Sequence, residues 1–189
     1  MKNQPNLKQE PYTCPPWLLF TFDNPVRNAL QNPKKMLAGL VKSGDVVLDV
    51  GCGMGYLSLP MAEMVGEHGK VIGADLSEVM LAGLGKRAEK AGVMERVEPH
   101  LCSAERIGIA EAIDFAVAFW MVHEVRNQEA FLQEIYDALK TGGQFLLVEP
   151  HIHVTGKGFE RTVALAKDFG FKEIARPKVF FSRAVVLGK

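Results

Sequence analysis

The sequence has few cysteines, no block of like charges and no long apolar run, and each absence excludes a class of protein. Three cysteines, Cys14, Cys52 and Cys102, are scattered among 189 residues without C-x-x-C spacing, so neither a disulfide framework nor a zinc site is indicated. Lys and Arg number 22, as do Asp and Glu, and this balance argues against a nucleic acid partner. The longest apolar run, 112–122, is interrupted by Asp114 and is too short to span a bilayer. We therefore expect a soluble, cytoplasmic protein.

The length of 189 residues suits a single domain with a full core. We divide it into an N-terminal lead with cap helices, 1–42, and a cofactor-binding core, 43–189. Asn24 and Asn32 are suitable N-caps because each precedes a proline that fits a first helical turn. They predict two short helices that end near Gly39 and Ser43-Gly44.

A buried strand that enters a glycine turn organises the rest of the chain. The β-branched run of Val46–Val50 is followed by glycines at alternate positions, Gly51, Gly53 and Gly55. Glycine lets the backbone approach a ligand closely, and a following helix start offers unpaired N–H groups to an anionic group. This pattern predicts a nucleoside-ligand site.

The spacing and charge of the turn indicate which nucleoside it binds. Dinucleotide binding requires G-x-G-x-x-G, and here Tyr56 occupies the place of the last glycine. Asp49 would repel a pyrophosphate and would favour a ligand that carries an ammonium group. Asp75 ends the next predicted strand, 71–74, where a carboxylate can accept both hydroxyls of a ribose.

These residues carry a resemblance to a known family. The stretch Asp49-Val50-Gly51-Cys52-Gly53-Met54-Gly55 resembles the first motif of class I S-adenosylmethionine-dependent methyltransferases, and 138–143 resembles their late L-K-P-G-G motif with Thr141 in place of proline. The broader resemblance is to the quinone-biosynthesis-like branch. It implies S-adenosyl-L-methionine as the cofactor.

The resemblance also implies contacts to the adenine ring after the third strand, 97–101. Ser103 stands where the family usually has an acid that accepts from the adenine amino group, and the Ala104 backbone N–H is expected to donate to the ring. A serine hydroxyl lacks the charge assistance of that acid. The implied cofactor-binding set is completed by Leu76, Glu105 and Trp120.

Strands and helices alternate along the core, which predicts an α/β fold. We expect a doubly wound, mostly parallel seven-stranded sheet with an antiparallel C-terminal strand. After the fourth strand, 113–120, apolar spacing predicts a helix through Leu139 that is closed by Thr141-Gly142-Gly143. A fifth strand, 144–148, follows.

Candidate catalytic groups follow the fourth and fifth strands, where open α/β sheets place their ligands. His123, Glu149, His151 and His153 are candidate general bases, although each histidine could instead be hydrogen-bonded to loop backbone. His151 and His153 alternate, so if the strand continues they face opposite sides. We therefore expect no metal site.

The reaction implied by the family is methyl transfer to a small, lipophilic or aromatic acceptor, placed beside Trp120. The N-terminal aromatics Tyr12, Trp17 and Phe20 either cover this acceptor or simply pack the N-terminus onto the core. Two alternatives stay open: a catalytically silent binding module for the same cofactor and, on the same sheet, a nicotinamide-dependent oxidoreductase. The acceptor and the oligomeric state do not follow from the sequence.

Overall fold

The computed structural model describes residues 31–189, which contain seven strands and five α-helices. The strands are β1 Val46–Val50, β2 Lys70–Asp75, β3 Val97–Leu101, β4 Ile113–Phe119, β5 Leu139–Pro150, β6 Lys172–Ala175 and β7 Ser182–Gly188. The α-helices are α1 Pro33–Leu37, α2 Ser58–Val65, α3 Glu78–Ala91, α4 Gln128–Ala138 and α5 Gly156–Asp168. Short 3₁₀ helices span Met94–Arg96 and Val122–Glu124.

All seven strands form one sheet in the order β3-β2-β1-β4-β5-β7-β6. Neighbouring strands from β3 to β5 are parallel, and β7 runs antiparallel to both β5 and β6. The predicted doubly wound sheet with its antiparallel C-terminal strand is confirmed. The strand order reverses between β1 and β4, which places a ligand crevice at the carboxyl ends of these two strands.

Helices cover both faces of the sheet because successive strand residues point to opposite sides. Val47 packs in the core of one face with side chains of α1, α2 and α3, whereas Leu48 packs in the other with α4 and α5. Strand residues that are buried on both faces explain the continuous apolar runs in the sequence. Among residues 31–189, none of the helices is long and apolar enough to cross a membrane.

Side chains cap the starts of two helices. The Asn32 side chain accepts the Lys35 N–H and Pro33 opens α1, as predicted. Ser77 caps α3 by accepting the Met80 N–H, and Gly92 ends that helix in the left-handed conformation. The helix predicted at Pro25 lies outside the described residues.

The boundary between α4 and β5 differs from the prediction. Helix α4 ends at Ala138, and Leu139 already pairs with Ile113 in the sheet. Thr141-Gly142-Gly143 therefore belongs to β5 and does not close the helix. Pairing with β4 overrides the helical spacing of Leu139. The fourth strand also ends one residue earlier than predicted, so that Trp120 lies outside β4.

Candidate functional site

The glycine turn joins β1 to α2, as predicted, at the carboxyl edge of the sheet. Gly51, Gly53 and Gly55 have φ angles of +70°, +53° and +87°, which side chains other than glycine rarely adopt. The backbone N–H of Gly51 donates to the Ala74 carbonyl at 2.8 Å. This bond ties the turn to the end of β2.

The three glycines have different surroundings. A Cβ added to Gly53 would have no other atom within 4 Å, so its backbone faces open space. A Cβ on Gly55 would lie 2.5 Å from Leu84 Cδ1, and one on Gly51 would lie 3.0 Å from Met121 Cγ. Gly53 therefore offers the backbone to a ligand, whereas Gly55 allows α3 to pack against the turn.

Asp75 lies at the end of β2, beside the turn. Its carboxylate accepts the backbone N–H groups of Gly53 and Ser77, each at 2.9 Å. Burial raises the pKa of Asp75 above its ordinary value. Each oxygen of a carboxylate has a second lone-pair direction, so the geometry leaves capacity for the hydroxyls of the predicted ribose.

Asp49 lies beneath the turn, not in the crevice. It is 2% exposed, and its carboxylate accepts the Ser58 hydroxyl at 2.5 Å. Burial raises its pKa to about 7. Its first partner is thus Ser58, and any effect on a bound ammonium group acts from below the turn.

The predicted adenine contacts cluster around the exits of β2 and β3. Leu76 is 51% exposed, which leaves an apolar surface next to Asp75. The Ser103 hydroxyl oxygen accepts the backbone N–H groups of Glu105 and Arg106, at 3.3 and 3.1 Å. Ser103 therefore stabilises its own loop, and Ala104 beside it is exposed.

Trp120 lies on the other side of the turn from these adenine contacts along the edge. It has a left-handed φ of +61°, its ring stacks on Phe119 at 5.1 Å, and its indole N–H donates to Ser182 Oγ at 2.9 Å. Since Ser182 begins β7, the indole lies toward the β5–β7 side of the sheet. This position favours the acceptor region that was also predicted for Trp120.

The first described residue closes this side of the edge. Gln31 is 5% exposed. Its side-chain amide nitrogen donates to the Phe180 backbone carbonyl at 2.7 Å, and its own backbone carbonyl accepts the Tyr56 hydroxyl at 2.8 Å. The predicted lid residues Tyr12, Trp17 and Phe20 lie outside the described residues.

His123 and Glu149 form a tightly coupled pair between the exits of β4 and β5. The His123 Nδ1 is 2.6 Å from Glu149 Oε2, and the His123 backbone N–H donates to Oε1 at 2.9 Å. A carboxylate only accepts, so Nδ1 carries the hydrogen and Nε2 keeps the lone pair. The bond to Glu149 raises the pKa of His123 above its ordinary value, whereas Glu149 itself is 2% exposed.

The histidines after β5 diverge, as predicted, although they lie in a turn beyond the end of the strand. The ring of His151 lies 6.0 Å from that of Phe181, and the ring of His153 lies 5.4 Å from that of His123. Of these two candidate bases, His153, not His151, accompanies the His123 pair. Within 31–189, no three side chains of the metal-ligating types are grouped as metal ligands would be.

A cavity of about 430 Å³ adjoins the His123 pair. Its polar lining includes Gln128, Arg161 and Thr162, none of which was predicted from the sequence. Ser58, the partner of Asp49, was also missed. No local pattern marks these residues, because each becomes part of the site only when helices are packed onto the sheet.

Comparison with known proteins identifies the fold's relatives. Residues 47–143, just over half of the chain, match the family model described as a methyltransferase domain. A crystal structure of an S-adenosylmethionine-dependent methyltransferase from Aquifex aeolicus superposes with a TM-score of 0.82 at 25% identity, covering 93% of this chain and 98% of that one.

Two curated relatives have names in quinone biosynthesis. The ubiquinone/menaquinone biosynthesis C-methyltransferase of Hydrogenovibrio crunogenus is 32% identical over 58% of this chain and 43% of its own length. The demethylmenaquinone methyltransferase of Symbiobacterium thermophilum is 34% identical over 69% and 49%. The chain therefore spans about half the length of the curated relatives it matches. The family predicted from the glycine turn is confirmed, and this chain belongs to the methyltransferase domain family.

Proposed function

We propose that this chain binds S-adenosylmethionine at the glycine turn and transfers its methyl group to a small aromatic or lipophilic acceptor. The observation that carries the proposal is the open backbone face of Gly53 beside Asp75. A nucleoside needs this combination, because the backbone must be approachable where a carboxylate can accept the ribose hydroxyls.

The residues at the edge fit this cofactor. Asp75 would hold the ribose, exposed Leu76 would cover the adenine ring, and the ammonium group would lie above Asp49, near Gly51. The Ala104 backbone N–H would donate to the ring, whereas Ser103 would contribute less than an acid because its oxygen already accepts two bonds. When bound, S-adenosylmethionine supplies an electrophilic methyl group on a sulfonium.

His123 is the proposed general base on the acceptor side. Glu149 holds the ring through Nδ1 and through the backbone N–H, so Nε2 is the nitrogen that can take a proton from an acceptor. The donor is already activated, so alignment and exclusion of water contribute much of the rate. A base is needed only for an acceptor whose proton has a high pKa.

The acceptor class is supported by the relatives' names and by the edge itself. The two curated relatives act on quinone precursors by name. In this chain, Trp120 and the half-exposed Phe180 and Phe181 give the β5–β7 side an aromatic surface. A cytoplasmic location and the absence of a nucleic acid partner remain proposals from composition.

Calorimetry with S-adenosylhomocysteine tests the cofactor assignment. The Asp75→Ala variant should lose about 1.5–3 kcal/mol of binding free energy, the scale of hydrogen bonds to a charged group. Glu95→Ala is the matched control, because this exposed carboxylate lies in the 3₁₀ helix before β3, at the opposite edge of the sheet from the glycine turn. Unchanged affinity in the Asp75 variant would refute the assignment.

A further inference from the structure

The cavity beside His123 is lined by polar, charged and apolar side chains. It lies between the exit of β5 and helix α5, and its volume of about 430 Å³ is within the range of roughly 300–1,000 Å³ typical of small-molecule sites. Its wall is formed by ten residues: His123, Gln128, Glu149, His153, Val154, Thr155, Gly158, Arg161, Thr162 and Leu165.

Two side chains of this wall, Glu149 and Gln128, are held in place by hydrogen bonds within the protein. Both oxygens of Glu149 accept from His123. The Gln128 amide oxygen accepts the Thr162 hydroxyl at 3.2 Å, and the Gln128 amide nitrogen donates to the Val122 carbonyl at 3.0 Å. These bonds fix one wall of the cavity.

The cavity wall also contains hydrogen-bond donors that remain available to a ligand. Arg161 makes no hydrogen bond or ion pair with any residue of the described range 31–189. Thr155 Oγ1 accepts the Gly158 N–H at 3.1 Å, so its hydroxyl hydrogen can still be donated. A guanidinium next to unused donors matches a carboxylate, which accepts two parallel bonds from arginine.

The cavity also has apolar walls, which favour a ligand with an organic part over a purely inorganic anion. Val154 is buried at 9% exposure, and Leu165 is partly buried against the same core. Both line the cavity with Arg161. We infer that this cavity binds an organic carboxylate.

The test compares benzoate with benzamide, its neutral isostere, by calorimetry on the full chain with S-adenosylhomocysteine present and absent. The wild-type protein should bind benzoate at least about tenfold more tightly than benzamide, as expected for a charge-assisted pair. Arg161→Gln should weaken benzoate binding by about tenfold and leave benzamide unchanged. Lys157→Gln, on the same helix but outside the cavity lining, is the matched control and should bind benzoate like the wild type.

Equal binding of benzoate and benzamide, or unchanged benzoate affinity in Arg161→Gln, would overturn the inference. Inorganic phosphate that competes with benzoate at equal affinity would also overturn it, because the apolar walls would then contribute nothing. The melting temperature of Arg161→Gln verifies that it folds. If the protein binds benzoate as expected but fails to bind S-adenosylhomocysteine, the proposed function fails while the carboxylate site stands.

Discussion

At the scale of single residues, the buried carboxylate of Asp49 has an unusual effect on stability. Its pKa in the folded protein, about 7 because of burial, lies above the value of an unfolded aspartate. Between these two values the folded state keeps a proton that the unfolded state has lost. The contribution of Asp49 to stability is therefore full at low pH and is lost as the pH rises to neutrality.

Asp49→Asn should remove this pH dependence. We expect the variant to gain about 2–4 kcal/mol relative to the wild type between pH 4 and pH 8, as a shift of roughly three pKa units implies. An asparagine oxygen can still accept the Ser58 hydroxyl, so the local bond is kept. Urea unfolding of both proteins at the two pH values measures the difference, and parallel pH profiles would show that Asp49 ionises normally.

Glu149→Gln tests the pair at the exit of β5. The bond to Glu149 is the main cause of the raised pKa of His123, so the neutral amide should lower that pKa. An NMR titration of the His123 ring should move to lower pH without any acceptor being present. If His123 is the base, the methyl transfer rate at high pH should fall by about tenfold or more. A titration that stays where it is would show that Glu149 does not raise the pKa of His123.

At the scale of elements, we expect two glycines of the turn between β1 and α2 to have different roles, Gly53 in ligand binding and Gly55 in packing. Gly53→Ala places a Cβ in open space, so it should cost only about 1–2 kcal/mol of stability for the left-handed backbone. It should weaken S-adenosylhomocysteine binding by about tenfold or more, because the Cβ occupies the ligand's side of the turn.

Gly55→Ala is the counterpart of Gly53→Ala in the same turn. Its Cβ would lie 2.5 Å from Leu84 of α3, so we expect a loss of stability larger than that of Gly53→Ala. Urea unfolding and calorimetry on both variants measure the contrast. Wild-type binding by Gly53→Ala would show that the ligand does not approach the turn at this position.

At the scale of the whole molecule, the start of the described chain joins two distant parts of the edge. Gln31 bonds to Phe180 before β7 and to Tyr56 after the glycine turn. These contacts bring Gln31 to the aromatic surface on the proposed acceptor side. The donor contacts proposed at Asp75 and Leu76 lie elsewhere on the edge.

Deleting residues 1–20 should therefore affect acceptor turnover and donor binding differently. We expect acceptor turnover to fall by about tenfold or more, since exclusion of water and alignment would be lost, while affinity for S-adenosylhomocysteine stays within a few fold. Turnover is measured with labelled donor and an acceptor found among soluble quinone precursors. Full turnover in the truncated protein would locate the acceptor pocket away from the N-terminal segment.

The sequence by itself determined the sheet and the position of the glycine turn and Asp75 at its edge. Strand and helix periods alternate with strong caps, as at Ser77 and Gly92, so local preference and final structure agree. Gly53 and Asp75 were identifiable because a strand end, a turn and the next strand end are short-range features. The carboxyl ends of neighbouring parallel strands must meet at one edge of the sheet.

Tertiary structure alone decided the side-chain partners. Leu139 follows a helical spacing yet lies in β5, because pairing with Ile113 outweighs local propensity. Asp49 meets Ser58, His153 replaces His151 beside His123, and Arg161 reaches the cavity from a helix later in the chain. Each of these contacts depends on how a helix packs or how a turn rotates a side chain, and such long-range geometry leaves no period or spacing in the sequence.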